Sequence, residues 1–148
     1  MAIEIRAFSH VVLPVSDLDA ALAFYRDVLG LEVAMRLEPD DPASDGSIAA
    51  GLRIAGVLVP GGIMLELVEG MEDPGGSSTV LALNVPDVAA AQRKIEAAGL
   101  EPSMPPTQVT PGVTMMFVKD PDGRTIEFVE FASGASSSYE NLGAQAGS

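Results

Sequence analysis

VLPVSDLDAALAFYRDVLGLE, residues 12–32, returns in altered form as ALNVPDVAAAQRKIEAAGLE, residues 82–101. Each copy runs through a strand-like apolar stretch, an aspartate, apolar residues at helical spacing, and a Gly-Leu-Glu exit. Aspartate is a residue type that caps a helix N-terminus, and Gly30 and Gly99 suit the position just past a helix end. The spacing predicts one helix over Leu18–Leu29, capped by Asp17 or Ser16, and a second over Val88–Ala98, opened by Asp87. The second copy is one residue shorter. Further along, PGGIMLELVE (60–69) matches PDGRTIEFVE (121–130), a Pro-x-Gly turn followed by a strand ending Glu-apolar-Val-Glu. Internal similarity of this extent means one architecture built twice.

Apolar runs at Phe8–Val15, Leu52–Val59, Ile63–Val68, Val80–Val85, Val113–Val118 and Thr125–Phe131 read as strands, each bounded by Pro, Gly or Asp. The order strand, helix, further strands, repeated, predicts an α+β fold of two βαβββ modules, about 6–70 and 79–132. LEPDDPASDGS (37–47) reads as a loop, MEDPGGSS (71–78) as a linker, and residues 133–148 as a polar tail beyond the folded domain. One helix covers one face of a small sheet and leaves the other bare, so the modules are expected to pair, within a chain or between chains, into a concave mixed-sheet cup. That groove is where function is expected.

The chain has 148 residues, enough for a sizeable core, and no cysteine, which excludes disulfides and thiolate metal sites. Eight basic against 21 acidic residues give a formal charge of −13, which repels nucleic-acid backbones and anionic membranes. The opening MAIEIRAFSH, with Glu4 and Arg6, lacks the pattern of a signal peptide, and no apolar run has membrane-spanning length. A cytoplasmic protein with a small-molecule ligand, and with neither nucleic acid nor membrane as partner, is the expectation.

His10 is the sole histidine, and strand alternation sets it with Phe8 and Val12. Glu66, between Leu65 and Leu67, and Glu127, between Ile126 and Phe128, are expected to point away from the helix-covered face into the groove. Carboxylates among apolar side chains require a cation or a hydrogen-bond network. Glu69 and Glu130, three residues on, fall on the opposite face at strand ends, where simple solvation is the expected role. One imidazole and two carboxylates from equivalent strands suit a divalent ion such as Zn, Mn, Fe(II), Ni or Co. They equally suit metal-free acid–base chemistry.

The paired modules, the FSHVVLPVSDLDAALAFYRDVLGLEV opening, the LELVE strand and the KDPDGRTIEFVEF ending resemble the vicinal oxygen chelate superfamily, the glyoxalase, bleomycin-resistance and extradiol-dioxygenase group, over about residues 6–132. The resemblance implies a divalent metal held by His10, Glu66 and Glu127 and a homodimer. Val80 stands where many metal-binding relatives have a second histidine, so a two-histidine, one-carboxylate iron site cannot come from one chain.

The chemistry implied is that of an isomerase, epimerase or lyase passing through an enolate-like intermediate, with Glu66 or Glu127 as base and His10 beside them. The alternatives are a metal-dependent dioxygenase and a metal-free sequestering protein whose apolar groove is lined by Met64, Met115, Met116 and Phe117. Few aromatics, with no Trp, two Tyr and five Phe, weigh against sequestration by stacking. Arg6, Arg36 and Arg53 could hold an anionic group and Asn84 or Gln108 could hydrogen-bond it, with no firm role assigned to any.

Overall fold

The computed structural model describes residue 4 and residues 9–39, 51–71 and 80–132. Phe8, Arg6, most of the 37–47 loop, nearly all of the 71–78 linker and the 133–148 tail lie outside the described residues. The chain divides into two compact units, Met1–Gly76 and Ser77–Ser148.

In the first unit, β1 (His10–Val15) leads into α1 (Leu18–Leu22), a π-helical turn (Ala23–Val28), β2 (Glu32–Leu37), β3 (Arg53–Val59) and β4 (Ile63–Glu69). In the second, β5 (Leu81–Asn84) leads into α2 (Val88–Ala97), β6 (Met104–Thr110), β7 (Val113–Lys119) and β8 (Thr125–Phe131). The sheet orders are β1-β4-β3-β2 and β5-β8-β7-β6, with the first and last strands of each unit parallel and the rest antiparallel. The fold is α+β, a βαβββ unit twice over.

Both helices open alike. Asp17 accepts from the N–H of Ala20 at 3.0 Å and Asp87 from that of Ala90 at 2.9 Å. Asp17, rather than Ser16, is the cap. The first helix does not continue as one α-helix to Leu29: its second half is the π-helical turn. That turn absorbs the extra residue of the first copy. The N–H of Leu31 bonds the carbonyl of Tyr25, six residues back, whereas Leu100 bonds Ile95, five back. Gly30 (φ 74°) and Gly99 (φ 77°) then turn the chain out in the same way.

In the first unit Leu13, Val15, Ala55, Val57, Leu65 and Leu67 share a buried sheet face with Leu18, Leu22 and Tyr25 of the helical segment. In the second, Met116, Val118, Ile126 and Phe128 pack with Val88 and Ile95 of α2. Met116, 0 % exposed, therefore belongs to the core and not to a ligand-lining face. β2 and β6 stand outside the apolar runs read as strands, because β2 interleaves Glu32 and Arg36 with its apolar residues and β6 carries Pro105 and Pro106. Asp120 is buried in the turn before β8, taking the N–H groups of Asp122 and Arg124 on Oδ1 at 3.0 and 2.8 Å and the Arg124 guanidinium on Oδ2 at 2.6 Å.

Candidate functional site

Strand pairing sets which side chains share the face turned away from α1. His10 lies opposite Met64, and Val12 opposite Glu66. Across β3, Glu66 faces Gly56 and Met64 faces Leu58, and on β2 Met35 faces Gly56 and Glu32 faces Leu58. Side chains in register across neighbouring strands stand on the same face. This face thus groups His10, Val12, Met35, Gly56, Leu58, Met64 and Glu66, with Glu32 at its edge.

Gly56 makes the packing above it possible. A Cβ there would lie 2.6 Å from Met64 Sδ and 2.7 Å from Met35 Cγ, so the two thioether side chains occupy the space a side chain would fill. Val12 and Leu58 beside them are 38 % and 36 % exposed. Such a surface is apolar and adaptable.

The structure brings His10 and Glu66 together: Nε2 is 3.8 Å from Oε2, and the side chains are about one third and one fifth exposed. That separation exceeds a direct hydrogen bond and is one that a shared proton carrier or cation spans. The other ring nitrogen, Nδ1, lies 2.8 Å from Ser9 Oγ. With Nδ1 engaged by the hydroxyl, Nε2 is left to face the carboxylate. Strand alternation turns Ser9 to the face opposite His10, so its bond to Nδ1 is legible only in the structure.

Glu127 occupies the matching place in the second unit. It pairs with Ala82 and Phe117 as Glu66 pairs with Val12 and Gly56, and it is half-buried. Val80, two residues before Ala82, holds the place of His10 and is 46 % exposed. Met115 and Phe117 share the Glu127 face, as does Lys119, whose Nζ donates to Thr125 Oγ1 at 2.5 Å. Ala82 and Asn84 are exposed on β5. Gln108 pairs with Thr114 on the edge strand and is exposed. Within either unit, no three His, Cys, Asp or Glu side chains form a metal-holding group among the described residues.

The strand-end glutamates are not simply solvated. Glu69 Oε2 accepts from the N–H of Leu18 at 2.6 Å and Glu130 Oε2 from that of Val88 at 2.8 Å, each at the first turn of its helix. Arg53 joins Glu69 (3.0 Å), Glu38 (3.2 Å) and Asp19 (3.2 Å), and Arg36 joins Glu38 (2.7 Å) and Asp19 (3.6 Å). The guanidinium groups of Arg36 and Arg53, by hydrogen bonding, hold the Glu38 carboxyl below its ordinary value. Hydrogen bonding to Glu38 and then Asp19 raises Arg53 in turn. Arg36 and Arg53 pair in register with Ala55 and Glu69, which places them on the helix-covered face, away from His10.

A shallow depression lined by Gln92, Glu96, Leu100, Glu101, Pro102 and Pro105 lies where α2 passes into β6 and contains none of His10, Glu66 or Glu127. Among the described residues no helix is long and apolar enough to cross a membrane.

Residues 7–128 match the family model of the glyoxalase/bleomycin resistance protein/dioxygenase superfamily. The chain is 30% identical to a lactoylglutathione lyase of Haemophilus influenzae over 82% of its own length and 90% of that protein's. It is 28% identical to a lactoylglutathione lyase of Arabidopsis thaliana over 84% of its own length, but spans only 44% of that protein. Among solved structures, an antibiotic-binding protein from a Streptomyces species superposes with a TM-score of 0.70 at 22% identity, covering 88% of this chain and 100% of that one, a likeness of fold.

Proposed function

Because the chain belongs to the glyoxalase/bleomycin resistance protein/dioxygenase superfamily, we propose that it is an enzyme of lyase, isomerase or epimerase type, acting on a small oxygenated molecule at the face that carries His10 and Glu66. The observation that carries this reading is the pairing of His10 Nε2 with Glu66 Oε2 at 3.8 Å amid Val12, Met35, Leu58 and Met64. A carboxylate beside an imidazole, with its second nitrogen held by Ser9, is an acid–base set. Glu66 takes the proton from a carbon next to a carbonyl, and the C–H electron pair moves onto the carbonyl oxygen as an enolate. His10 donates its Nε2 proton to that oxygen. Return of the proton from Glu66 to the same carbon, with the oxygen's proton going back to His10, gives an epimer, and its return to the neighbouring carbon of a 2-hydroxy ketone, with the hydroxyl proton taken by His10, gives an isomer. Glu127, the counterpart of Glu66, is assigned as the second carboxylate.

The donor chemistry of His10 and Glu66 also fits a divalent ion, since a nitrogen and an oxygen 3.8 Å apart fall within the span of two metal–ligand bonds of about 2.1 Å each. Zn, Mn, Fe(II), Ni or Co held by His10, Glu66 and Glu127 would supply Lewis-acid stabilisation of the developing oxyanion. In this reading the protein works as a cytoplasmic homodimer, and light scattering showing a monomer would remove the dimer.

A second reading, ligand sequestration without chemistry, is favoured by the exposed Val12 and Leu58 and by the two methionines over Gly56, and by the fold shared with a protein named for antibiotic binding.

Proton exchange separates the two. In D2O the wild type is expected to exchange the α-protons of 2-hydroxyacetophenone at least 100-fold faster than Glu66→Gln or His10→Ala, the scale of general acid–base catalysis, about 10²–10⁴-fold. Equal rates in all three would remove the enzymatic reading. Metal content of untagged protein, for wild type, His10→Ala and Glu127→Ala, tests the ion: stoichiometric metal lost in both variants supports the three-ligand set, and none after reloading removes it.

A further inference from the structure

The relatives named as lactoylglutathione lyases take their name from a glutathione derivative, a molecule with two carboxylates, and the charge on this chain's site opposes such a ligand. The Met1–Gly76 unit contains four arginines and no lysine. Arg6 lies outside the described residues. Arg26 is held by Asp27 through Nε at 2.6 Å, and Arg36 and Arg53 are held by Asp19, Glu38 and Glu69 on the helix-covered side. The opposite face offers Glu66, Glu32 at its edge and His10 as its ionisable groups among the described residues. Without a bound cation, an approaching carboxylate meets two like charges there, with a histidine already facing one of them.

The equivalent face of the second unit, taken by itself, offers no surplus of positive charge among the described residues. On the Glu127 face Lys119 is the one cation among the described residues, and it shares that face with Glu127 itself. Arg124 is buried against Asp120. What the His10 face does provide is apolar area, from Val12 and Leu58 at more than a third exposed and from the thioethers of Met35 and Met64 over Gly56.

We propose that the ligand of this site is an uncharged oxygenated molecule with an apolar body, which lies against Val12, Leu58, Met35 and Met64 and presents its oxygens to His10 and Glu66, and that dicarboxylate glutathione derivatives are excluded. The proposal rests on the reading of the His10–Glu66 face given above and names its ligand class. Recognition of the body is by area and adaptable sulfur contacts, and exclusion of anions is by the carboxylates.

Because His10 is the sole histidine, its imidazole proton resonance reports on this face alone. The full chain, stripped of metal with a chelator, is titrated with 2-hydroxyacetophenone, which is uncharged, with benzoylformate, a single carboxylate on a similar body, and with S-hexylglutathione. The uncharged probe is expected to shift the His10 signal with a Kd at least fivefold below that of either anion, and Val12→Asp is expected to weaken it tenfold. A smaller margin, tighter binding of either anion, no response of His10 to the uncharged probe, or indifference to Val12→Asp would each overturn the proposal. Failure of the enzymatic reading looks different: Glu66→Gln would leave proton exchange unchanged while the preference for the uncharged probe stands.

Discussion

Glu69 caps the helix that starts at Leu18, its Oε2 2.6 Å from the Leu18 N–H, across 51 residues of chain. The same bond recurs between Glu130 and Val88 at 2.8 Å, across 42 residues. Together with Asp17 and Asp87 on the third amide in, each helix start has two of its free N–H groups satisfied by carboxylates. This explains why the Glu-apolar-Val-Glu ending occurs twice. Of the two glutamates, the first turns to the face away from the helix and the second to the helix itself.

Removing either cap should destabilise the protein. Glu130→Ala is expected to cost about 1–2 kcal/mol, the range for a lost charged hydrogen bond at a helix start. Glu69→Ala should cost more, because Arg53 loses a partner with it. Urea denaturation of both variants against wild type checks the order.

The π-helical turn predicts an asymmetric tolerance to deletion. Removing Ala23 returns the first helix to the length of the second and should leave a folded protein, at a cost of roughly 1 kcal/mol, as for an ordinary single change. Removing Ala91 from α2 has no such slack and rotates Ile95 out of the core. Circular dichroism melts should show a small shift for the first deletion and loss of the cooperative transition for the second.

Glu38 makes stability depend on pH in a stated direction. Its folded carboxyl titrates below the ordinary 4.5 because Arg36 and Arg53 hydrogen-bond the charged form. The unfolded chain thus binds the proton more readily, so the contribution is complete above pH 4.5 and is lost as pH falls through the lower, folded value. Glu38→Gln should reduce the difference in stability between pH 7 and pH 3, and added salt should reduce it in the wild type.

Gly56→Ala places a methyl group against Met64 Sδ and Met35 Cγ at 2.6 and 2.7 Å. Overpacking of this kind costs about 1–3 kcal/mol, although the flexible thioether of Met64 can yield in part. The variant should fold with a lowered Tm, and the displaced methionines should weaken the affinity of 2-hydroxyacetophenone.

Asp120 is the buried acceptor of a guanidinium and two backbone amides. Asp120→Ala leaves Arg124, 8 % exposed, without this carboxylate, and the expected loss is about 3–5 kcal/mol. Guanidinium denaturation would register it as the largest effect among the point substitutions.

Local pattern alone carries the repeat, the first residue of each helix, and the sidedness of His10, Glu66, Glu69, Glu127 and Glu130, because helix caps and strand alternation act over a few residues, whereas the π-helical second half of the first helix was not legible there. That Val80 stands in place of a second histidine follows from aligning the two copies and from the resemblance to the superfamily. The tertiary structure alone decided what those side chains meet. Parallel pairing of β1 with β4 sets Glu66 beside Val12, within reach of His10, and brings Glu69 to Leu18. β2, which interleaves Glu32 and Arg36 with apolar residues, and β6, which carries two prolines, are recognised only through the strands they pair with, and Arg36 and Arg53 take their carboxylate partners from α1, from Glu38 just past β2 and from the end of β4. Periodicity assigns a residue to a face, but its partner is fixed by strand pairing between segments tens of residues apart, and no local pattern carries that register.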